Sequence, residues 1–148
     1  MPESTRSFLF PDINVWIALT YEGHVHHVPA AEWFVSLPSD SRLLFCRFTQ
    51  MGFLPLLTAE AVMGREVMNQ PQAWQTYDRW LEDDRVAFFE EPPGLERTFR
   101  ALTRLRRPAT KDWADSYLSA FASSSQLTLV TFDRNLSRKA RHFVLLTS

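Results

Sequence analysis

The chain has little cysteine, no excess of either charge and no long apolar run. Its one cysteine, Cys46, has no internal partner, so no disulfide can staple the fold. That count fits a reducing, cytoplasmic setting. Lys and Arg number 16 against 17 Asp and Glu, a net charge of −1. A chain so balanced is not basic throughout, as many nucleic-acid binders are. Any RNA surface must therefore come from local clustering of basic residues. No apolar stretch approaches the roughly 18 residues that a membrane span needs. Residues 1–10, MPESTRSFLF, lack a charged start followed by a long apolar segment, so a secretory signal is not expected.

What is present suits an ordinary globular protein. The chain has 148 residues, 45% hydrophobic and 22% charged, which is the size and balance of one domain. Five Trp and twelve Phe supply the bulk for a core without staples.

Apolar runs bounded by turn residues alternate with stretches of helical spacing. Strands are expected at Ser7–Phe10, Leu43–Cys46, Val86–Phe89, Leu127–Phe132 and Phe143–Leu146. Helices are expected at Ile13–Leu19, from Pro29 to about Leu37, Arg47–Leu57, Gln70–Leu81, Leu95–Leu105, from an N-cap at Thr110 to about Ser124, and as a turn at Leu136–Ala140. Thr20–Val28, with three His, reads as a loop, and Thr58–Gly64 as a short connecting segment. This alternation predicts an α/β fold with a central parallel sheet. There is no repeat and no linker, so one domain over residues 1–148 is expected.

Three acids stand in telling places. Asp12 directly follows the first strand, Asp133 follows the strongest strand, and Asp115 lies in the first turns of the helix before it. In open parallel sheets, sites form beyond the carboxyl ends of strands. Side-by-side packing would gather these acids at one end of the sheet. Carboxylates at close quarters repel, and a hard divalent cation such as Mg²⁺ neutralises them with oxygen ligands. Such a cation acidifies a bound water and stabilises charge on phosphate oxygens, which is the chemistry of phosphodiester hydrolysis. The bland reading of any one of them is a helix cap or turn residue. Three such acids coinciding at strand ends and a helix start point beyond capping to a shared site.

The segments around these acids resemble a known family. Phe10-Pro11-Asp12-Ile13-Asn14-Val15-Trp16 is similar to the opening strand and Asp-x-Asn motif of PIN domains. Ala114-Asp115-Ser116-Tyr117-Leu118-Ser119-Ala120 resembles their Asp-Ala-Tyr-Leu-Ala-Ala helix, and Val130-Thr131-Phe132-Asp133-Arg134 their Thr-Phe-Asp-Arg strand end. Cys46 to Leu54 and Thr58 to Gly64 look like one subgroup of VapC toxins. The resemblance spans nearly the whole chain.

It implies a PIN-like three-layer α/β/α sandwich. It also implies an endoribonuclease dependent on Mg²⁺ or Mn²⁺, the toxin of a toxin–antitoxin pair, with an RNA substrate, a small antitoxin partner and a homodimer. Asp12, Asp115 and Asp133 would be the catalytic metal-site carboxylates. Asn14 would orient a ligand or water. Asn135 stands where some members carry another acid. One position departs from the pattern: most PIN domains have a Glu in the helix after the second strand, where this chain has Gln50. Glutamine can hold a water or a metal through its carbonyl but supplies no charge. Asp112, at (i, i+3) spacing from Asp115, is a stand-in for the missing acid, or else a surface residue supporting the helix start.

Other groups read more plainly. His24, His26 and His27 lack the Cys partners of a zinc site and sit in a loop. Arg104, Arg106, Arg107 and Lys111 precede the Asp115 helix, and Arg134, Arg138, Lys139 and Arg141 follow Asp133. Both sets suit phosphate contacts or simply a solvated surface. Trp33, Trp74, Trp80 and Trp113 read as core or dimer interface. Two rival functions remain. A haloacid-dehalogenase-type phosphatase wants a second acid where Asn14 stands. A PIN-like module with weakened catalysis, binding RNA or protein, is the reading that Gln50 favours.

Overall fold

A computed structural model of the chain describes residues 7–147. Five strands form one parallel sheet: β1 (Phe8–Pro11), β2 (Arg42–Phe45), β3 (Val86–Phe88), β4 (Thr128–Thr131) and β5 (Phe143–Leu145), in the order β3-β2-β1-β4-β5. Eight α-helices connect them: α1 (Ile13–Thr20), α2 (His27–Ser36), α3 (Arg47–Leu57), α4 (Glu60–Met63), α5 (Gln70–Glu82), α6 (Leu95–Leu102), α7 (Asp112–Ser124) and α8 (Arg134–Lys139). A single 3₁₀ turn, Gly64–Glu66, follows α4.

The strands are apolar on both faces because both are covered. Leu9, Leu43, Phe45 and Val130 face one core with Trp16 of α1, Phe53 and Leu57 of α3 and Tyr77 of α5. Phe10, Leu44 and Leu129 face the other, with Leu95 of α6, Phe121 of α7 and Leu136 of α8. Neighbouring residues on one strand thus serve opposite layers, as the two-residue strand period requires. The result is the α/β/α sandwich that the motifs imply. Stacked rings lock each layer: Trp16 on Phe45 at 4.0 Å in one, Phe10 on Phe121 at 4.9 Å in the other.

The chain moves outward from β1 to β2 and β3, then returns to β4 on the other side of β1. Strand order therefore reverses between β1 and β4. A crevice opens at the carboxyl ends of such a pair. The register aligns Pro11 with Val130, and the Asp12 N–H donates to the Val130 carbonyl at 2.9 Å. Gly52 sets how closely α3 approaches α1: a Cβ there would lie 2.1 Å from Ile13 Cδ1.

Some expected boundaries move. Thr110 does not cap α7. The helix starts at Asp112, whose N–H closes a turn onto the Ala109 carbonyl at 3.1 Å, and Lys111 holds the cap position without a side-chain bond. The α6 helix stops at Leu102, short of the expected Leu105. The histidine loop is shorter than Thr20–Val28, because α2 already begins at His27. The helix after Asp133 begins at Arg134, not Leu136. The segment Thr58–Gly64 contains α4. Among the described residues, no helix is long and apolar enough to cross a membrane.

Candidate active site

The strand reversal positions Asp12 and Asp133 on adjacent strand ends. Asp12 caps α1: its Oδ1 accepts the Val15 N–H at 3.0 Å. Its Oδ2 accepts a short hydrogen bond from the Thr131 hydroxyl. Asp12 is 4% exposed. Burial pushes its pKa up from 3.8 to about 6; bonds from Thr131 and from the Val15 and Asn14 backbone hold it down in part, and the Asp133 charge adds to the rise.

Asp133 caps α8, accepting the Asn135 N–H at 2.8 Å and the Leu136 N–H at 3.4 Å, and it is exposed. Its own N–H donates to Thr131 Oγ1 at 2.9 Å. One threonine hydroxyl thus joins both strand-end acids. Asp115 sits half-buried in the first turn of α7. Its carboxyl is raised by burial first and then by the charges of Asp133 and Asp112, against a lowering pull from Lys139.

Asp133 is felt by both other acids, so the three share one field at this end of the sheet. Among the described residues, however, no three His, Cys, Asp or Glu side chains are drawn close enough to hold a metal ion. The physical reason is on hand. Like charges repel, and Asp12 and Asp133 are each turned onto backbone N–H groups of the helix they cap.

Asp112 is differently employed. The Lys139 ammonium forms an ion pair with its Oδ1, and the Ser116 hydroxyl donates to its Oδ2 at 3.2 Å. Lys139 also donates to Ser116 Oγ at 3.2 Å. Lys139 holds the Asp112 carboxyl below the usual range. The contact ties the end of α8 to the start of α7.

Gln50 is buried at 5% exposure, and its carbonyl accepts from Arg47 Nη1 at 2.6 Å. It also faces the Tyr77 hydroxyl. Among the described residues, no hydrogen bond links it to the three acids. Asn14 is exposed, and its backbone N–H rather than its side chain is directed to Asp12. Asn135 is exposed as well and likewise acts through its N–H, on Asp133.

The His24–His27 loop lies against this end of the sheet. The His26 ring stacks on Phe132 at 4.4 Å and 13°. His24 Nδ1 accepts the His26 N–H at 3.0 Å, and His27 Nδ1 donates to the Ala18 carbonyl at 2.7 Å. Burial, then the neighbouring His26 and His27, lower the His24 pKa.

A family model described as the PIN domain matches residues 9–142. The chain belongs to the PIN-domain family. Within it, the chain is 40% identical to ribonuclease VapC41 of Mycobacterium tuberculosis over 129 residues, covering 84% of this chain and 88% of that protein. It is 30% identical to ribonuclease VapC29 of the same organism, covering 85% and 86%. Solved structures share the fold at lower identity. Mycobacterium tuberculosis VapC20, a toxin that cleaves the sarcin–ricin loop, superposes with a TM-score of 0.64 at 20% identity, covering 88% of this chain and 93% of that one. VapBC2 of Rickettsia felis, bound to a promoter DNA fragment, superposes with a TM-score of 0.69 at 12% identity, covering 95% and 99%. The PIN domain places Asp12 and Asp133 beside the reversal of its sheet and Asp115 on the helix that precedes β4.

Proposed function

We propose that this PIN-domain protein is a divalent-metal-dependent endoribonuclease, the toxin of a toxin–antitoxin pair, which hydrolyses RNA phosphodiester bonds in the cytoplasm. The observation that carries the reading is Asp12. It is a buried carboxyl at a strand reversal, with a pKa near 6, surrounded by neutral donors and a second acid. A group so disposed favours a cation beside it.

The donor set fits such a cation. Asp12, Asp115 and Asp133 offer only oxygen, which suits Mg²⁺ or Mn²⁺. When bound there, the ion would supply an acidified water and offset charge on the phosphate oxygens. The protein's own work is positioning. Thr131 fixes the Asp12 carboxylate, and the start of α8 fixes Asp133. Burial and the neighbouring acids raise the Asp115 pKa, and a cation beside it would favour its carboxylate form. Asn14 and Asn135, exposed beside the acids, suit water or substrate contacts. Asp112 is already neutralised by Lys139 and is assigned to support.

We assign RNA as the substrate from the likeness to ribonucleases VapC41 and VapC29. A small antitoxin partner follows from the VapBC and FitAB assemblies among the structural relatives. A homodimer follows from the family resemblance, and the exposed Val25, Val28 and Val35 on and beside α2 offer apolar surface for an interface. One observation favours a second reading, a PIN module with weakened catalysis: the Gln50 carbonyl is engaged by Arg47 and adds no charge to the site. The two separate in one assay. Cellular RNA with added Mg²⁺ or Mn²⁺ should be cleaved by the wild type and spared when EDTA is present. Asp12→Asn, Asp115→Asn and Asp133→Asn should each lose at least about a hundredfold in rate, the scale of losing a group that stabilises transition-state charge. Cleavage that survives EDTA or all three changes would defeat the metal-carboxylate reading.

A further inference from the structure

Trp113, read from its helical spacing as core or dimer interface, is 58% exposed in the chain. Its ring meets that of Phe99 edge-on, with centroids 6.0 Å apart at 72°. The contact props the indole and leaves most of it in solvent. Beside it lies a depression of about 650 Å³ lined by Glu96, Phe99, Arg100, Thr103, Arg104 and Trp113. A second, of about 120 Å³, is lined by Trp113 together with Arg107, Pro108 and Asp112 among others. Trp113 therefore stands between the two, on the same first turn of α7 as Asp115.

The charge here differs from that of the whole chain. Residues 95–111 carry six basic side chains and one acid, Glu96, in a protein whose net charge is −1. All six are exposed, and Glu96 is paired with Arg100 at 2.9 Å. A propped aromatic beside exposed guanidinium groups matches the two needs of single-stranded nucleic acid, a stacking platform and a cationic track.

We propose that the hollow between α6 and α7 is a subsite for one unpaired nucleobase of the RNA, stacked on Trp113, with the adjoining phosphates held by Arg104 and Arg107. The proposal rests on the ribonuclease reading and adds to it a binding position, away from the three acids, where one base must be free of its stack. Duplex RNA does not meet the requirement, because its bases are already stacked and only its backbone and groove edges are presented. A docked peptide is the other occupant, and it lacks the alternation of flat ring and phosphate that this surface fits.

The test uses the full chain with Asp133→Asn, so that bound RNA is not consumed. Binding of an eight-nucleotide oligouridylate and of an abasic oligomer of equal charge is measured over a range of salt. The base-bearing oligomer should bind tighter. Trp113→Ala should weaken it on the order of ten- to a hundredfold, to the level of the abasic oligomer, with the salt slope unchanged. Trp113→Phe should recover part of that loss. Arg104→Ala should instead lower the salt slope by about 0.7, one phosphate contact. Trp74→Ala, at the 48%-exposed tryptophan of α5, serves as the control and should change neither. Equal affinity of Trp113→Ala and its parent, or an equal loss on the abasic oligomer, would overturn the subsite. So would a Trp113→Ala protein that binds RNA normally and loses only a co-purifying antitoxin. Failure of the wild type to cleave RNA with Mg²⁺ or Mn²⁺ would defeat the ribonuclease reading separately, since the binding measurement needs no turnover.

Discussion

Thr131 donates its hydroxyl to Asp12 across the β1–β4 reversal, 119 residues away in sequence, and accepts the Asp133 N–H with the same oxygen. Thr131 is fully buried, so water cannot take either role. The spacing of the two strand-end acids is thereby set by a third side chain that carries no charge.

Thr131→Val keeps the shape and removes both bonds. A buried polar group left unpaired costs about 1–3 kcal/mol, and denaturant unfolding should register a loss of that size. The Thr131 bond lowers the Asp12 pKa, so its removal should raise that pKa further and move the acid limb of the cleavage profile to higher pH. Thr131→Ser should restore both. An unchanged profile for Thr131→Val would mean that Thr131 does not set the state of Asp12.

Stability should depend on pH through Asp12. The carboxyl titrates at 3.8 in a model peptide and near 6 in the fold. Between these values the folded protein holds a proton that the unfolded chain has lost. The stabilising effect of the protonated form is complete below about pH 4 and is lost as pH rises through about 6. A shift of roughly two units corresponds to about 3 kcal/mol. With metal chelated, the wild type should thus weaken from pH 4 to pH 7, and Asp12→Asn should remove most of that slope. A shallower slope of the same sign should persist from Asp115, whose pKa is also raised. Unfolding curves at fixed pH values check this, and equal slopes in wild type and variant would contradict it.

The Lys139–Asp112 pair should matter for spacing rather than chemistry. It joins α8, which begins at Asp133, to α7, which carries Asp115. The two side chains are 31% and 14% exposed, so solvent screens the pair and about 1 kcal/mol is the scale to expect. Asp112→Asn and Lys139→Met should each reduce cleavage by less than about tenfold, and the double variant should be little worse than either. Strictly additive losses in the double-mutant cycle would show that the two residues act apart.

Much of this arrangement is legible in the sequence, and the rest fails for identifiable reasons. Asp12 and Asp133 can be read because each follows an apolar strand directly, and a parallel sheet brings such ends together. The bounds of α3 agree with its helical spacing at both ends. Lys139 and Asp112 lie 27 residues apart on different helices, and no local pattern pairs them. The role of Thr131 is hidden for the same reason, although it stands two residues before Asp133. For Trp113, spacing gives a direction on the helix but not what covers it, so of its two readings, core or dimer interface, the exposed ring sets aside the core within one chain. The α6 helix ends at Leu102, and among the described residues Phe99 is the one ring against the indole.

Gln50 gives the sharpest test of how the site differs from its family's pattern. From sequence alone, Gln50→Glu restores a missing charge and should tighten metal binding. In the structure the Gln50 carbonyl accepts from Arg47 at 2.6 Å, and the Arg47 guanidinium lies 4.8 Å from the Phe88 ring centre. A glutamate placed there meets a fixed cation before it meets a metal. Its charge should be spent largely on that charge-assisted pair with Arg47. Gln50→Glu alone should therefore tighten Mn²⁺ binding by less than about threefold, about 0.7 kcal/mol. Adding Arg47→Met should free the carboxylate and give on the order of tenfold more. Calorimetric titration of Mn²⁺ into the wild type, the single variants and the double variant decides the matter. A large gain from Gln50→Glu alone would mean that Arg47 does not hold this side chain in solution.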